Sequence, residues 1–117
     1  MEKHKTKGKF ILDKDGEAVE ETDLLTWAKW FETSGDKRRV ALTSVGKYTV
    51  STVFLGVDYN FTDSRKPILF ETMVFNEESR ECGENFDINI ERYSTRKEAL
   101  AGHEKIVEKV KAAVDKK

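Results

Sequence analysis

The chain has 117 residues, 21 basic and 22 acidic, a formal net charge of −1 and a single cysteine, Cys82. That length supports one domain with a real core. The balanced charge argues against a general polyanion-binding field, and one cysteine excludes an internal disulfide. No apolar run approaches the roughly 20 residues that span a bilayer. The charged start has no long apolar segment behind it, so it does not read as a signal peptide. The expected location is the cytoplasm.

Residues 1–8 are lysine-rich and predicted to be flexible, residues 9–114 to form one domain, and residues 115–117 a loose tail. Residues 9–12 read as a short strand. Asp13, Lys14, Asp15 and Gly16 then make a turn, with Gly16 at positive φ and the aspartates bonding nearby backbone groups. Residues 17–20 return as the second arm of a hairpin. A helix follows over residues 22–33, capped by Thr22 or Asp23. Leu24, Trp27, Ala28 and Phe31 recur at i, i+3, i+4 and i+7 as one apolar stripe, with Trp30 off it. Gly35 stands where a left-handed cap ends such a helix.

Four strands are predicted next. The first covers residues 39–44 and turns through Val45, Gly46 and Lys47. The longest covers residues 48–58 and is rich in β-branched and aromatic side chains. Pro67 opens the third, residues 67–75, where its missing N–H costs least. Residues 86–93 alternate, with Phe86, Ile88 and Ile90 inward and Asp87, Asn89 and Glu91 outward. Polar loops fill residues 59–66 and 76–85. Thr95 and Glu98 match a capping box for a helix over residues 95–114. Leu100, His103, Val107, Val110 and Val114 form its apolar stripe, helped by Ala99 and Ile106. The sum is an α+β fold: an antiparallel four- to five-stranded sheet, from the hairpin plus the meander, with two helices on one face.

The strand at 67–75 is the most constrained segment. Ile68, Phe70, Thr72 and Val74 share one face, and Leu69, Glu71, Met73 and Phe75 the other. Both faces are mostly apolar, so both need cover. Two helices cover one face. Leu69, Met73 and Phe75 therefore predict a subunit interface and a homodimer. Glu71, a charge inside this strand, has to be paired, neutralised or near an opening. His103 points at the sheet and also needs a partner. A Glu71–His103 pair follows if Glu71 lies on the helix-covered face. Otherwise His103 bonds a backbone carbonyl and Glu71 reaches solvent or a lysine.

Two site readings build on this. Glu71, His103 and Asp58 are the candidate catalytic residues of a small hydrolase-like enzyme. Thr52, Asp58, Tyr59 and Asn60, with Arg39 and Arg65, are candidates for ligand binding, since strand ends often carry sites. The basic clusters Lys37-Arg38-Arg39 and Arg65-Lys66 lie near Trp30, Tyr48, Tyr59 and Phe61 in the predicted layout. That combination suits a nucleotide or other phosphate-bearing ligand. Other motifs fail. A calcium loop starting at Asp13 needs a glutamate where Leu24 stands. The glycosylation triplet at Asn60 is accidental in a cytoplasmic protein. The chain shows no Gly-rich phosphate loop, metal-ligand spacing or nucleophile elbow, so neither metal nor cofactor is expected.

Three segments carry a resemblance: LLTWAKWFE at 24–32; STVFLGVDYNF at 51–61 with ILFETMVF at 68–75; and ERYST at 91–95 with EALAGH at 98–103. Together they resemble a group of small phage- and prophage-encoded proteins whose function is not settled, over most of residues 10–110. The chain departs from that pattern in a longer, more acidic loop at 76–85 and in Arg96, where an aromatic is commoner. The resemblance implies a phage accessory protein that binds a host protein or sequesters a small signalling molecule. Non-catalytic binding by a homodimer is thus the leading expectation. The hydrolase and a nucleotide or nucleic-acid binder using Arg38, Arg39, Arg65 and Lys66 remain open beside it. Neither a membrane nor, given the charge balance, general nucleic-acid binding is expected.

Overall fold

The computed structural model describes residues 7–60, 66–78, 81–82 and 90–115. Within them the chain runs β1 (Phe10–Leu12), β2 (Ala18–Glu20), α1 (Leu24–Thr33), α2 (Gly35–Arg38), β3 (Arg39–Val45), β4 (Tyr48–Phe54), β5 (Phe70–Asn76), β6 (Glu81–Cys82), β7 (Ile90–Tyr93) and α3 (Arg96–Asp115). The architecture is α+β with antiparallel sheets, as predicted. The predicted hairpin forms a separate two-stranded sheet, and the larger sheet has the order β3-β4-β5 with β6 and β7 both pairing β5.

Strand pairing places each side chain. β4 and β5 bury every second residue, Tyr48, Val50, Thr52 and Phe54 on one and Phe70, Thr72, Val74 and Asn76 on the other. Their register sets Thr52 opposite Thr72 and Val50 opposite Val74. Helix α3 lies over this face and buries Ala99, His103, Ile106, Val107 and Val110. Its start is the predicted capping box: the Glu98 amide donates to Thr95 Oγ1, and the Thr95 amide donates to Glu98 Oε1.

The apolar core divides into two clusters. Tyr48, Val50, Val74, Ile106, Val107 and Val110 form one. Leu12, Phe54, Leu69, Phe70 and Ala99 form the other, with Trp30 and Tyr93 packed against it. Helix α1 reaches the second cluster at the hairpin end, on the same face as α3: Trp30 meets Phe54 edge-on, with ring centroids 5.8 Å apart. The working stripe of α1 is Trp27, Trp30 and Phe31, while Leu24 and Ala28 are exposed. The predicted stripe was thus displaced by part of a turn, because the hairpin approaches α1 from the side of Trp30.

Three further local expectations are corrected. Gly35 is not a left-handed cap; it begins α2 directly, after Ser34. Ile90 faces away from α3, opposite Met73, and Glu91 and Tyr93 take the helix side, so the predicted alternation of this strand is reversed. Residues 86–89 lie outside the described residues. The long strand predicted over 48–58 ends at Phe54.

Gly56 explains that ending. It sits at φ 77°, and a Cβ there would lie 2.7 Å from the Phe31 ring. The kink hands the chain from β4 to the hairpin: Phe10 N–H donates to Gly56 O at 2.9 Å, and Asp58 N–H to Gly8 O at 2.8 Å. Trp27 Nε1 donates to both Phe10 O and Gly56 O, at 3.1 and 2.9 Å, and fastens α1 to the same junction. A Gly56→Ala substitution therefore meets a left-handed backbone and an occupied site at once. It is expected to cost at least about 1–2 kcal/mol in denaturant unfolding. Unchanged stability would show that the junction yields freely.

Candidate functional site

Between the two apolar clusters runs a single polar layer. His103 is 1% exposed, and Thr52 and Thr72 are equally buried. Its Nδ1 lies 2.7 Å from Thr52 Oγ1 and its Nε2 lies 2.8 Å from Thr43 Oγ1. Thr52 Oγ1 in turn lies 2.5 Å from Thr72 Oγ1. A neutral imidazole has one N–H donor and one acceptor nitrogen, and rotatable hydroxyls can match either tautomer. Both ring nitrogens are therefore satisfied without a charge. Burial lowers the His103 pKa below the ordinary imidazole value, and Glu104 only partly opposes this. Next in line is the Tyr93 hydroxyl, buried beside Thr72 but without a well-formed hydrogen bond. Burial raises its pKa first of all, Thr72 draws it back in part, and the charge of Glu91 adds to the rise.

This arrangement corrects the predicted catalytic trio. Glu71 lies on the opposite face of the sheet from His103, because it alternates with the buried Phe70 and Thr72. It accepts from Arg92 Nε at 2.9 Å, across the β5–β7 pair. His103 bonds hydroxyls rather than a carboxylate or a backbone carbonyl. Asp58 is employed elsewhere: its Oδ1 accepts from the Asn60 and Ile68 amides at 2.8 and 2.9 Å and closes the chain after β4. Glu71, His103 and Asp58 thus each bond other groups and do not form one site.

The predicted ligand residues are likewise dispersed. Thr52 lies under α3. Asn60 Nδ2 donates to Lys66 O at 2.6 Å, which makes it a loop closure. Tyr59 lies beneath the Arg92 guanidinium, 5.6 Å from the ring centroid. Arg39 stands at the far edge, opposite Val53 on β3. Arg65 lies outside the described residues. Arg38 is taken up by Phe31, with its guanidinium 3.8 Å from the ring centroid. Among the described residues no three of His, Cys, Asp and Glu converge as metal ligands.

The predicted interface set divides. Leu69 is 2% exposed and belongs to the second core cluster. Met73 and Phe75 do lie on the face opposite α3, half-buried. Register adds Leu42, Val53 and Ile90 to that face, with Ser44, Thr49 and Ser51 between them. Leu42 is 51% and Ile90 44% exposed. Alternation on β3 and β7 is the sequence signal for Leu42 and Ile90, and the pairing of Ile90 with Met73 sets its parity on β7 opposite to the predicted one.

Two grooves of about 440 Å³ each also open at the surface. One is walled by Glu91, Tyr93, Gly102 and Lys105 beside α3. The other lies at the hairpin end and includes Trp30, Lys37 and Arg96. No helix among the described residues is long and apolar enough to cross a membrane. No family model, no curated protein and no solved structure matches the chain.

Two outcomes test the polar layer. The folded pKa of His103 lies below the ordinary value of about 6.5, so on acidification the unfolded chain takes the proton first. Stability is then full above about pH 6.5 and declines as pH falls toward the folded pKa. Melting temperature should drop between about pH 7.5 and about pH 5.5, and His103→Gln should flatten that slope. A wild-type protein indifferent to pH in this window would contradict a neutral, buried His103. Thr52→Val keeps the shape but strips the partner of both His103 and Thr72, and should cost about 1–3 kcal/mol in urea unfolding.

Proposed function

We propose that this chain is a non-catalytic binding protein and that its working surface is the uncovered face of the large sheet, which a second copy of the chain occupies. The observation that carries this reading is the one-sided sheet. Helices cover the face of Val50, Thr52, Phe70 and Val74, whereas Leu42, Val53, Met73, Phe75 and Ile90 have no element of the described chain above them. The seven-residue strands β3, β4 and β5 extend about 23 Å, and together with the shorter β7 they span about 14 Å between outer axes. That patch is on the scale of the largest that monomers leave open, about 300–600 Å².

Charge favours self-association over capture of a strongly charged partner. Glu71 and Arg92 neutralise each other within the face. The chain as a whole carries −1, so two copies approach without long-range repulsion. The hydroxyls of Ser44, Thr49 and Ser51 offer short polar contacts between the apolar side chains. The absence of an open acid–base pair among the described residues supports binding over hydrolysis. The resemblance to phage-encoded accessory proteins supports a role in the host cytoplasm, where such a dimer would bind a host protein or hold a small signalling molecule.

Sedimentation should find a dimer that dissociates on dilution. Met73→Glu and Leu42→Glu should each shift the protein to monomer while leaving the melting transition cooperative. A wild-type monomer at every concentration, or a dimer indifferent to both substitutions, would sink this reading.

A further inference from the structure

The groove at the hairpin end gathers groups from four separate places in the chain. Leu12, Asp13, Lys14, Asp15 and Gly16 come from β1 and the turn after it, Trp30 from α1, Lys37 from α2 and Arg96 from the first position of α3. Lys14, Lys37 and Arg96 thus converge on one space, yet none of them forms an ion pair with any described residue. Converging cations without a partner repel one another, and an anion between them would reverse the sign of that interaction. Of the two carboxylates in the wall, Asp13 is engaged by the turn, its Oδ1 accepting from the Asp15 and Glu17 amides at 2.8 and 3.0 Å. Three cations against two carboxylates leave the lining at +1.

Arg96 packs against the turn and reaches it with one long hydrogen bond. It donates from Nη1 to Gly16 O at 3.4 Å. A Cβ on Gly16 would lie 2.9 Å from that nitrogen, and the residue sits at φ 81°. The glycine therefore does two things: it makes the turn and it leaves room for the guanidinium. A planar guanidinium fixed at one point keeps its remaining N–H groups in a fork that suits phosphate oxygens. Trp30 supplies the other wall, with its ring fastened by edge contact with Phe54. An indole beside phosphate-binding cations is a stacking surface for a base.

We infer that this groove is a mononucleotide site, in which Lys14, Lys37 and Arg96 take the phosphate and Trp30 takes the base. Its volume of about 440 Å³ falls within the range of small-ligand pockets, about 300–1,000 Å³. The overall charge of −1 argues for a free nucleotide over a nucleic-acid strand. This site lies at the end of the molecule and its occupancy does not depend on the sheet face being a dimer contact.

Calorimetric titration of the full chain tests it, with adenosine monophosphate, guanosine monophosphate, adenosine, ribose 5-phosphate, inorganic phosphate and a short single-stranded oligonucleotide as separate probes. At least one of the two mononucleotides should bind more tightly than nucleoside, sugar phosphate or phosphate alone. Arg96→Gln and Lys37→Gln should each weaken that binding about tenfold, the scale of one charge-assisted hydrogen bond, with an unchanged melting temperature. Lys109→Gln, in the other groove, should leave it unaltered. No binding of either mononucleotide up to about 1 mM would overturn the inference. So would affinity indifferent to Arg96 and Lys37, phosphate binding as tight as that of the nucleotide, or stronger binding of the oligonucleotide.

Discussion

The hydrogen-bonded layer Thr43–His103–Thr52–Thr72 is the constraint on which the rest of this structure depends. It crosses β3, β4, β5 and α3 at one level and separates the two apolar clusters. Apolar packing alone tolerates slipped arrangements, because Val and Ile fit many neighbours. A polar layer does not. Sliding α3 by one turn would set the imidazole against Val50 and Val74, where neither nitrogen has a partner. Sliding β5 by two residues would place Thr52 opposite Phe70 or Val74. Each misfit strands a buried polar group at a cost of about 1–3 kcal/mol. The layer thus selects one register among several that hydrophobicity would accept.

That assignment of His103 to architecture decides how the molecule can act. A histidine with 1% exposure and both nitrogens engaged has no route to a substrate. Glu71, on the other face, serves as a clasp between the central strand and β7 through Arg92. Asp58 and Asn60 do the same for the chain after β4. The residues that look chemical in isolation are spent on holding the sheet together. The binding proposed for this chain rests instead on the sheet face opposite α3 and on the groove beside Trp30, where Lys14, Lys37 and Arg96 line one space without an ion pair to any described residue.

Much of the fold was legible in the sequence because it depends on short-range physics. The capping box at Thr95 and Glu98, the Asp13–Gly16 turn, the turn at Gly46 and the stripe on α3, except for Leu100, which is 41% exposed, are local patterns with local causes. Failures arose where a distant segment decided the outcome. Phe31 fills the space that a side chain at position 56 would need, beside the kink where β4 has ended. The hairpin recruits Trp30 in place of Leu24 and Ala28. Pairing of Ile90 with Met73 reverses the parity of β7. The candidate site failed for the same reason: alternation says that Glu71 and Thr72 oppose each other, but not which of them the helix covers. Lys37 and Trp30 are legible as part of a basic cluster and a nearby aromatic, but nothing in their spacing announces Lys14 and Arg96.

By itself, then, the sequence determined the class of fold, the two longer helices and the main strands, though not α2 or β6, and the surplus of apolar side chains on the sheet, since composition and periodicity act within a few residues. Tertiary structure alone decided which face of the sheet α3 takes. Thr52 and Thr72 can satisfy the imidazole of His103 on that face, whereas Glu71 would have to be buried there as a charge. Desolvating a carboxylate costs more than pairing hydroxyls with a neutral ring. That difference turned Glu71 outward to Arg92, set Met73 and Phe75 on the face opposite α3, and separated Glu71 from His103.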